Sequence, residues 1–210
     1  MSNTGYMFDK DNPHAVLSSG AIFRFRDDSF DKHPDFQRDF VEPLGRLARW
    51  TGQTDPPWSV LKHTLLVAQL VNEPRAKLLA LTHDFAEAIT GDVPAPLKVQ
   101  LHVETEGLSF KEWEEELLHH IRAEFGIPND ILNHQDAVDA ADSFAGLLEF
   151  QLIKQIGPIF IDYRPNLDFG LYFANTVIAC EFGKKVERDI LKKCGLRDPR
   201  KPLPDSYWNP

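Results

Sequence analysis

Residues 79–98 read LALTHDFAEAITGDVPAPLK. The first half extends a helical stripe beginning at Pro74, with Leu78, Leu79, Leu81, Phe85 and Ile89 as its apolar positions. Pro74 suits the first turn of such a helix and Gly91 stops it. The second half, DVPAPLK at 92–98, carries two prolines and reads as a non-helical loop. Inside the helix, His83 and Asp84 interrupt the apolar setting. Neighbouring helix positions point about 100° apart, so the two do not face each other, yet both can reach an ion lying off the helix surface between them. Glu87 stands at i+4 from His83 and i+3 from Asp84, on their shared face. Imidazole and carboxylate together suit Mn, Fe, Co, Ni or Zn better than Ca.

Helical periodicity continues on both sides of this stretch. Upstream, Phe40, Leu44, Leu47 and Trp50 form one stripe that Gly52 closes, and a second run from Ser59 carries Val60, Leu61, Leu65, Ala68 and Leu70. Downstream, Trp113, Leu117, Ile121 and Phe125 share a face of a helix from Phe110. A fifth helix spans 129–155, with Ile131, Val138, Phe144, Leu147 and Leu148 as core positions, and a sixth spans 166–194. No convincing alternation of strands is found, although AIFRFRD near 21–27 allows one short strand. The expected fold is all-α, a helical bundle of about six main helices, with an irregular N-terminal arm and an extended, proline-rich C-terminal tail.

The 210 residues fit one domain. With 32 acidic against 23 basic residues and a net charge of -9, binding to a nucleic acid polymer is disfavoured, since such affinity comes largely from phosphate neutralisation. A small phosphorylated substrate needs only a few local cations. Two cysteines, Cys180 and Cys194, make no disulfide framework and point to a reducing cytoplasm. No apolar run is long enough to span a membrane, and the first residues lack the apolar core of a signal peptide.

A histidine in SVLKHTLLVAQL and an aspartate in AVDAADSFAGLLEF also interrupt apolar runs: His63 and Asp142. Asp142 shares its stripe with Asp136 and Asp139. The order H … HD … D on helices resembles the HD superfamily of metal-dependent phosphohydrolases, and in detail its bacterial 5′-deoxynucleotidase branch. The matching strings are RLARW (46–50), HTL at 63, HDFAEAITGDVPAPLK (83–98) and ADSFAGLL at 141–148, so the resemblance covers about 40–155. The extended HD-x-x-E-x-x-x-G-D-x-P-x-P-x-K string is the specific part.

The resemblance implies an HD-type helical domain in which His63, His83, Asp84 and Asp142 hold a divalent metal ion (Mn, Co, Fe, Ni, Zn or Mg). It implies that Glu87 is the acid/base and that Arg49 holds the substrate phosphate with its planar fork. Asp92 meets the sugar hydroxyl or orients a water, Trp50 lines the nucleoside pocket, and Lys98 adds positive potential. The expected activity is hydrolysis of a nucleotide, first a (deoxy)nucleoside 5′-monophosphate. A dNTP triphosphohydrolase and a non-catalytic nucleotide-sensing module are the alternatives. A triphosphate needs further cations, for which the neighbouring sequence offers Arg46, Lys62 and Lys98. A homodimer is the family-like expectation, with Tyr207 and Trp208 of the tail available to pack on a neighbour.

Other polar groups read as structural. His119 and His120 follow EWEEE on a solvated face, and the cysteines read as inert thiols. GKK at 183–185 lacks the upstream glycine and following Ser/Thr of a phosphate loop, and there is no G-x-S-x-G elbow.

Overall fold

The computed structural model describes residues 13–101, 109–154 and 168–202. The chain starts as a small antiparallel sheet of strands β1 (His14–Val16), β2 (Ile22–Arg24) and β3 (Ser29–Phe30), paired in that order. Residues 14–30 are therefore a three-stranded sheet rather than an irregular arm, and the fold is mostly helical rather than strictly all-α. The strands hold only two or three residues each, too few for alternation to stand out in sequence. The buried Asp39 ties the sheet to the helices by accepting from the backbone N and Oγ of Ser19, at 2.7 and 2.6 Å.

The helices follow as α1 (Glu42–Arg46), α2 (Val60–Leu70), α3 (Pro74–Thr82), α4 (Glu87–Thr90) and α5 (Ala95–Lys98), then α6 (Phe110–Glu124), α7 (Gln135–Lys154), α8 (Phe169–Ala179) and α9 (Lys184–Lys193). Local chemistry sets their starts. Ser59 caps α2, Glu73 caps α3 ahead of Pro74, and Ser109 with Glu112 forms a reciprocal capping box on α6.

Four sequence expectations change. The stripe through Trp50 is not one helix. The chain is wide-turned over Phe36–Val41, turns extended at Leu47 and Ala48, and closes a tight turn at Arg49–Gly52. The Pro74 helix stops at Thr82, and a turn carries His83 to Ala86 before α4 begins. The proline segment still makes one helical turn, because Pro94 precedes it and Pro96 falls at its start, where a missing N–H costs nothing. The sixth helix is two, α8 and α9, broken where Glu181 and Gly183 take positive φ of 52° and 98°. The tail from 203 onward, with Tyr207 and Trp208, lies outside the described residues.

The core is centred on Phe36, whose ring lies 5.6, 5.2 and 4.8 Å from those of Phe85, Phe125 and Phe173. Leu78, Leu79 and Leu81 fill the same core from α3. On α7 the buried face is Val138, Ala141, Ala145 and Glu149, whereas Phe144 and Leu147 are exposed. Among the described residues no helix is long and apolar enough to cross a membrane. Both cysteines are free and buried, with thiols pushed up by burial.

Candidate metal centre

Three helices bring the polar interruptions together. His63 lies on α2 and is fully buried, His83 and Asp84 follow the last turn of α3, and Asp142 lies on α7. His63, His83 and Asp142 each offer a ligand atom within 4.8 Å of the other two. His63 Nε2 stands 2.8 Å from Asp142 Oδ1 and 3.3 Å from His83 Nε2. Asp84 flanks both imidazoles, with Oδ1 3.2 Å from His83 Nε2 and Oδ2 3.6 Å from His63 Nε2.

The orientation of each imidazole is set from behind. His83 Nδ1 lies 2.6 Å from the Ala80 carbonyl, which can only accept, so this nitrogen carries the proton and Nε2 faces the centre. His63 Nδ1 lies 2.7 Å from Glu149 Oε1, and a carboxylate orients it in the same way. Glu149 sits seven positions after Asp142, two turns along the inward face of α7. Besides His63 it accepts from Trp58 Nε1 at 2.8 Å and from Arg49 Nε and Trp50 Nε1, both at 3.1 Å. Sequence reasoning missed this residue, although its spacing from Asp142 placed it on the same helix face.

The electrostatics are those of a crowded site in which His63 and Glu149 are fully buried while Asp142 reaches solvent. Burial opposes charge on His63, but hydrogen bonds to Asp142 and Glu149 outweigh it and carry the imidazole up to about 9. Burial likewise opposes ionisation of Asp142, and the His63 hydrogen bond draws it down to about 2. Burial and then the neighbouring Asp84 push Glu87 up to about 9, and burial raises Asp92. Two buried carboxylate oxygens, Asp84 Oδ2 and Glu87 Oε2, have no hydrogen-bond partner.

A divalent ion fits this donor set. Two Nε2 atoms turned inward, two carboxylates and an orphaned buried oxygen are what an N/O site for a transition metal requires. His63, His83 and Asp142 form the group that could hold it, with Asp84 alongside.

The remaining expected residues are placed as follows. Arg49 points inward, pairing with Glu149 and standing 3.9 Å from Asp84 Oδ2, and its charge is felt by Asp92. The short pairing of Arg49 N with the Trp58 carbonyl, at 2.9 Å, holds this segment against the start of α2. Trp50 is half-buried with φ 56° and its indole N–H on Glu149, so it is fixed by the site rather than by an apolar stripe. Glu87 heads α4. Lys98 lies between Glu114, at 2.5 Å, and Glu87, at 3.4 Å, where its charge is matched rather than open. Arg46 and Lys62 turn away, to Glu42 and to the Pro57 carbonyl. Asp136 and Asp139 are exposed, as are His119 and His120.

No family model matches the chain. An uncharacterized protein of Rhodobacter capsulatus is 32% identical over 124 residues, covering 55% of this chain and 61% of that protein. The uncharacterized protein YfdR of Escherichia coli K12 is 34% identical over 110 residues, covering 52% and 57%. The chain thus spans about 60% of the length of these curated relatives.

Proposed function

We propose that the chain is a metal-dependent phosphohydrolase of the HD type acting on nucleotides, with a (deoxy)nucleoside 5′-monophosphate as its simplest substrate. The observation that carries this reading is the convergence of His63 Nε2, His83 Nε2 and Asp142 Oδ1 beside the unpartnered oxygens of Asp84 and Glu87. A divalent ion supplies such a site with Lewis acidity, which lowers the pKa of water and polarises a phosphoryl group.

The chain's own residues do the rest. Glu87, buried and with one unpartnered oxygen, is the acid/base residue. It takes the attacking water's proton in its ionised form, which a cation held at the candidate ligands would favour over the protonated form that burial and Asp84 otherwise impose. Water adds to phosphorus, the ester oxygen leaves with a proton, and inorganic phosphate and an alcohol result. Lys98, 3.4 Å from the other Glu87 oxygen, holds that carboxylate in place. The terminal nitrogens of Arg49, left over from its bond through Nε to Glu149, are available to neutralise phosphoryl oxygens on the Asp84 side. Asp92, close enough for Arg49 to draw its carboxyl down against the effect of burial, is the residue we assign to accept from a sugar hydroxyl. Trp50, anchored through its indole N–H, offers its ring to the base.

The test is a screen of nucleotides with added Mn²⁺, Co²⁺ or Mg²⁺, separating release of phosphate, pyrophosphate and triphosphate. Release of inorganic phosphate, lost in the His83→Ala variant, is expected. Nucleotide binding without turnover under every metal overturns catalysis in favour of a sensing module.

A further inference from the structure

A cavity of about 650 Å³ opens between α6 and α7, with His83 and Asp142 on its wall. Arg122 of α6 lines it and is only 7% exposed. Its Nε donates to Thr82 Oγ1 at 3.2 Å, and among the described residues no carboxylate pairs with its guanidinium. Burial pulls Arg122 down to about 10, which still leaves it charged at neutral pH. A buried cation without a counter-ion is costly and calls for an anion.

The acidic groups on the same wall do not supply one. Glu114 is matched by Lys98 at 2.5 Å, Glu115 by Lys111 at 3.7 Å and Asp142 by His63 at 2.8 Å. Asp139 accepts from the neutral Gln135 amide at 2.6 Å and keeps its charge, but it is exposed, where solvent screens it. Arg49 stands against Asp84 and Glu149, whereas Arg122 shares the wall of this cavity with His83 and Asp142.

We infer that this cavity is a second anion subsite, in which Arg122 receives a phosphate group of the substrate beyond the one held at Arg49 and the candidate metal ligands. The inference rests on the phosphohydrolase reading and extends its substrate class to a nucleoside diphosphate or triphosphate, or inorganic pyrophosphate. A guanidinium fork matches phosphate oxygens in two parallel hydrogen bonds, and a cavity this size has room for more than one phosphate.

The full chain, loaded with Mn²⁺, is titrated calorimetrically with inorganic phosphate and with pyrophosphate, each as its magnesium salt. Wild type is expected to bind pyrophosphate more tightly than phosphate. Arg122→Gln is expected to weaken pyrophosphate by roughly tenfold or more, the scale of a lost charge-assisted contact, and to leave phosphate within about twofold. Arg122→Lys keeps the charge but not the fork, and is expected to fall between. Metal content and thermal unfolding of each variant establish that it is folded, and if the Gln variant is not, the Lys variant carries the comparison. Equal weakening of both ligands overturns the subsite, because Arg122 then touches the phosphate at the ligands. Unchanged affinities, or no preference in wild type, overturn it too. If no ion is retained and no phosphate ester is cleaved, the phosphohydrolase reading fails, and the pyrophosphate preference of the metal-free chain still decides the subsite.

Discussion

Glu149 shows what a single side chain contributes at this site. Its carboxylate is fully buried and holds His63, Arg49, Trp50 and Trp58 at once. Glu149→Gln puts an NH₂ where donors already point, so we expect about 1–3 kcal/mol of lost stability, read by denaturant unfolding. We also expect metal affinity to fall by about 10–100-fold, because the His63 ring loses its orienting partner. Unchanged affinity in a folded variant would remove Glu149 from that role. Glu87→Ala has the opposite signature: it keeps the ion and loses about 10²–10⁴-fold in turnover. Metal analysis beside kcat separates the two residues. The candidate ligands were legible because each is polar in an apolar run. Glu149 was not singled out, because the large apolar Phe144 and Leu147 drew the inward stripe to another face despite its seven-residue spacing from Asp142. Nor was Arg122, whose burial depends on how α6 meets Thr82 at the end of α3.

At the scale of the element, α7 is a rod that carries Asp142 and Glu149 beside the small buried residues Ala141 and Ala145, one and two turns on from Val138. Small side chains let α7 approach α2 closely enough for both carboxylates to reach His63. Ala145→Leu overfills that approach, and we expect a cost of about 1–3 kcal/mol together with weaker metal binding, measured by unfolding and by metal titration. A variant that loses stability while binding metal as before would show that α7 yields without moving its carboxylates. This face also explains where sequence reasoning fell short. Phe144 and Leu147 suggested the inward stripe because they are large and apolar, yet the inward stripe is the alanine–carboxylate one and those two are exposed. The starts of α2 and α3 were readable from Ser59 and Pro74, and that of α6 from its apolar stripe at Phe110, whereas the Glu73 cap and the Ser109–Glu112 capping box went unread. The break between α8 and α9 rests on positive φ at Glu181 and Gly183, a conformation that a glycine permits but does not require.

At the scale of the molecule, the candidate ligands join α2, the end of α3 and α7, so an ion there is a crosslink among three helices. Anything that binds only the folded chain stabilises it by mass action, about 2.7 kcal/mol at a hundredfold excess over Kd. Chelation by EDTA is therefore expected to lower Tm, Mn²⁺ to restore it, and His63→Ala to abolish the difference. An unfolding transition indifferent to both additions would argue that no ion is held. The distribution of these ligands along the chain also bears on biosynthesis. His63 and Glu149 are 86 positions apart. A chain emerging from the ribosome presents its two imidazoles long before the helix that orients one of them and completes the donor set. An ion captured early would be held by a half-made, exchangeable site, and the choice of metal would be fixed only once synthesis had delivered α7 and that helix had docked.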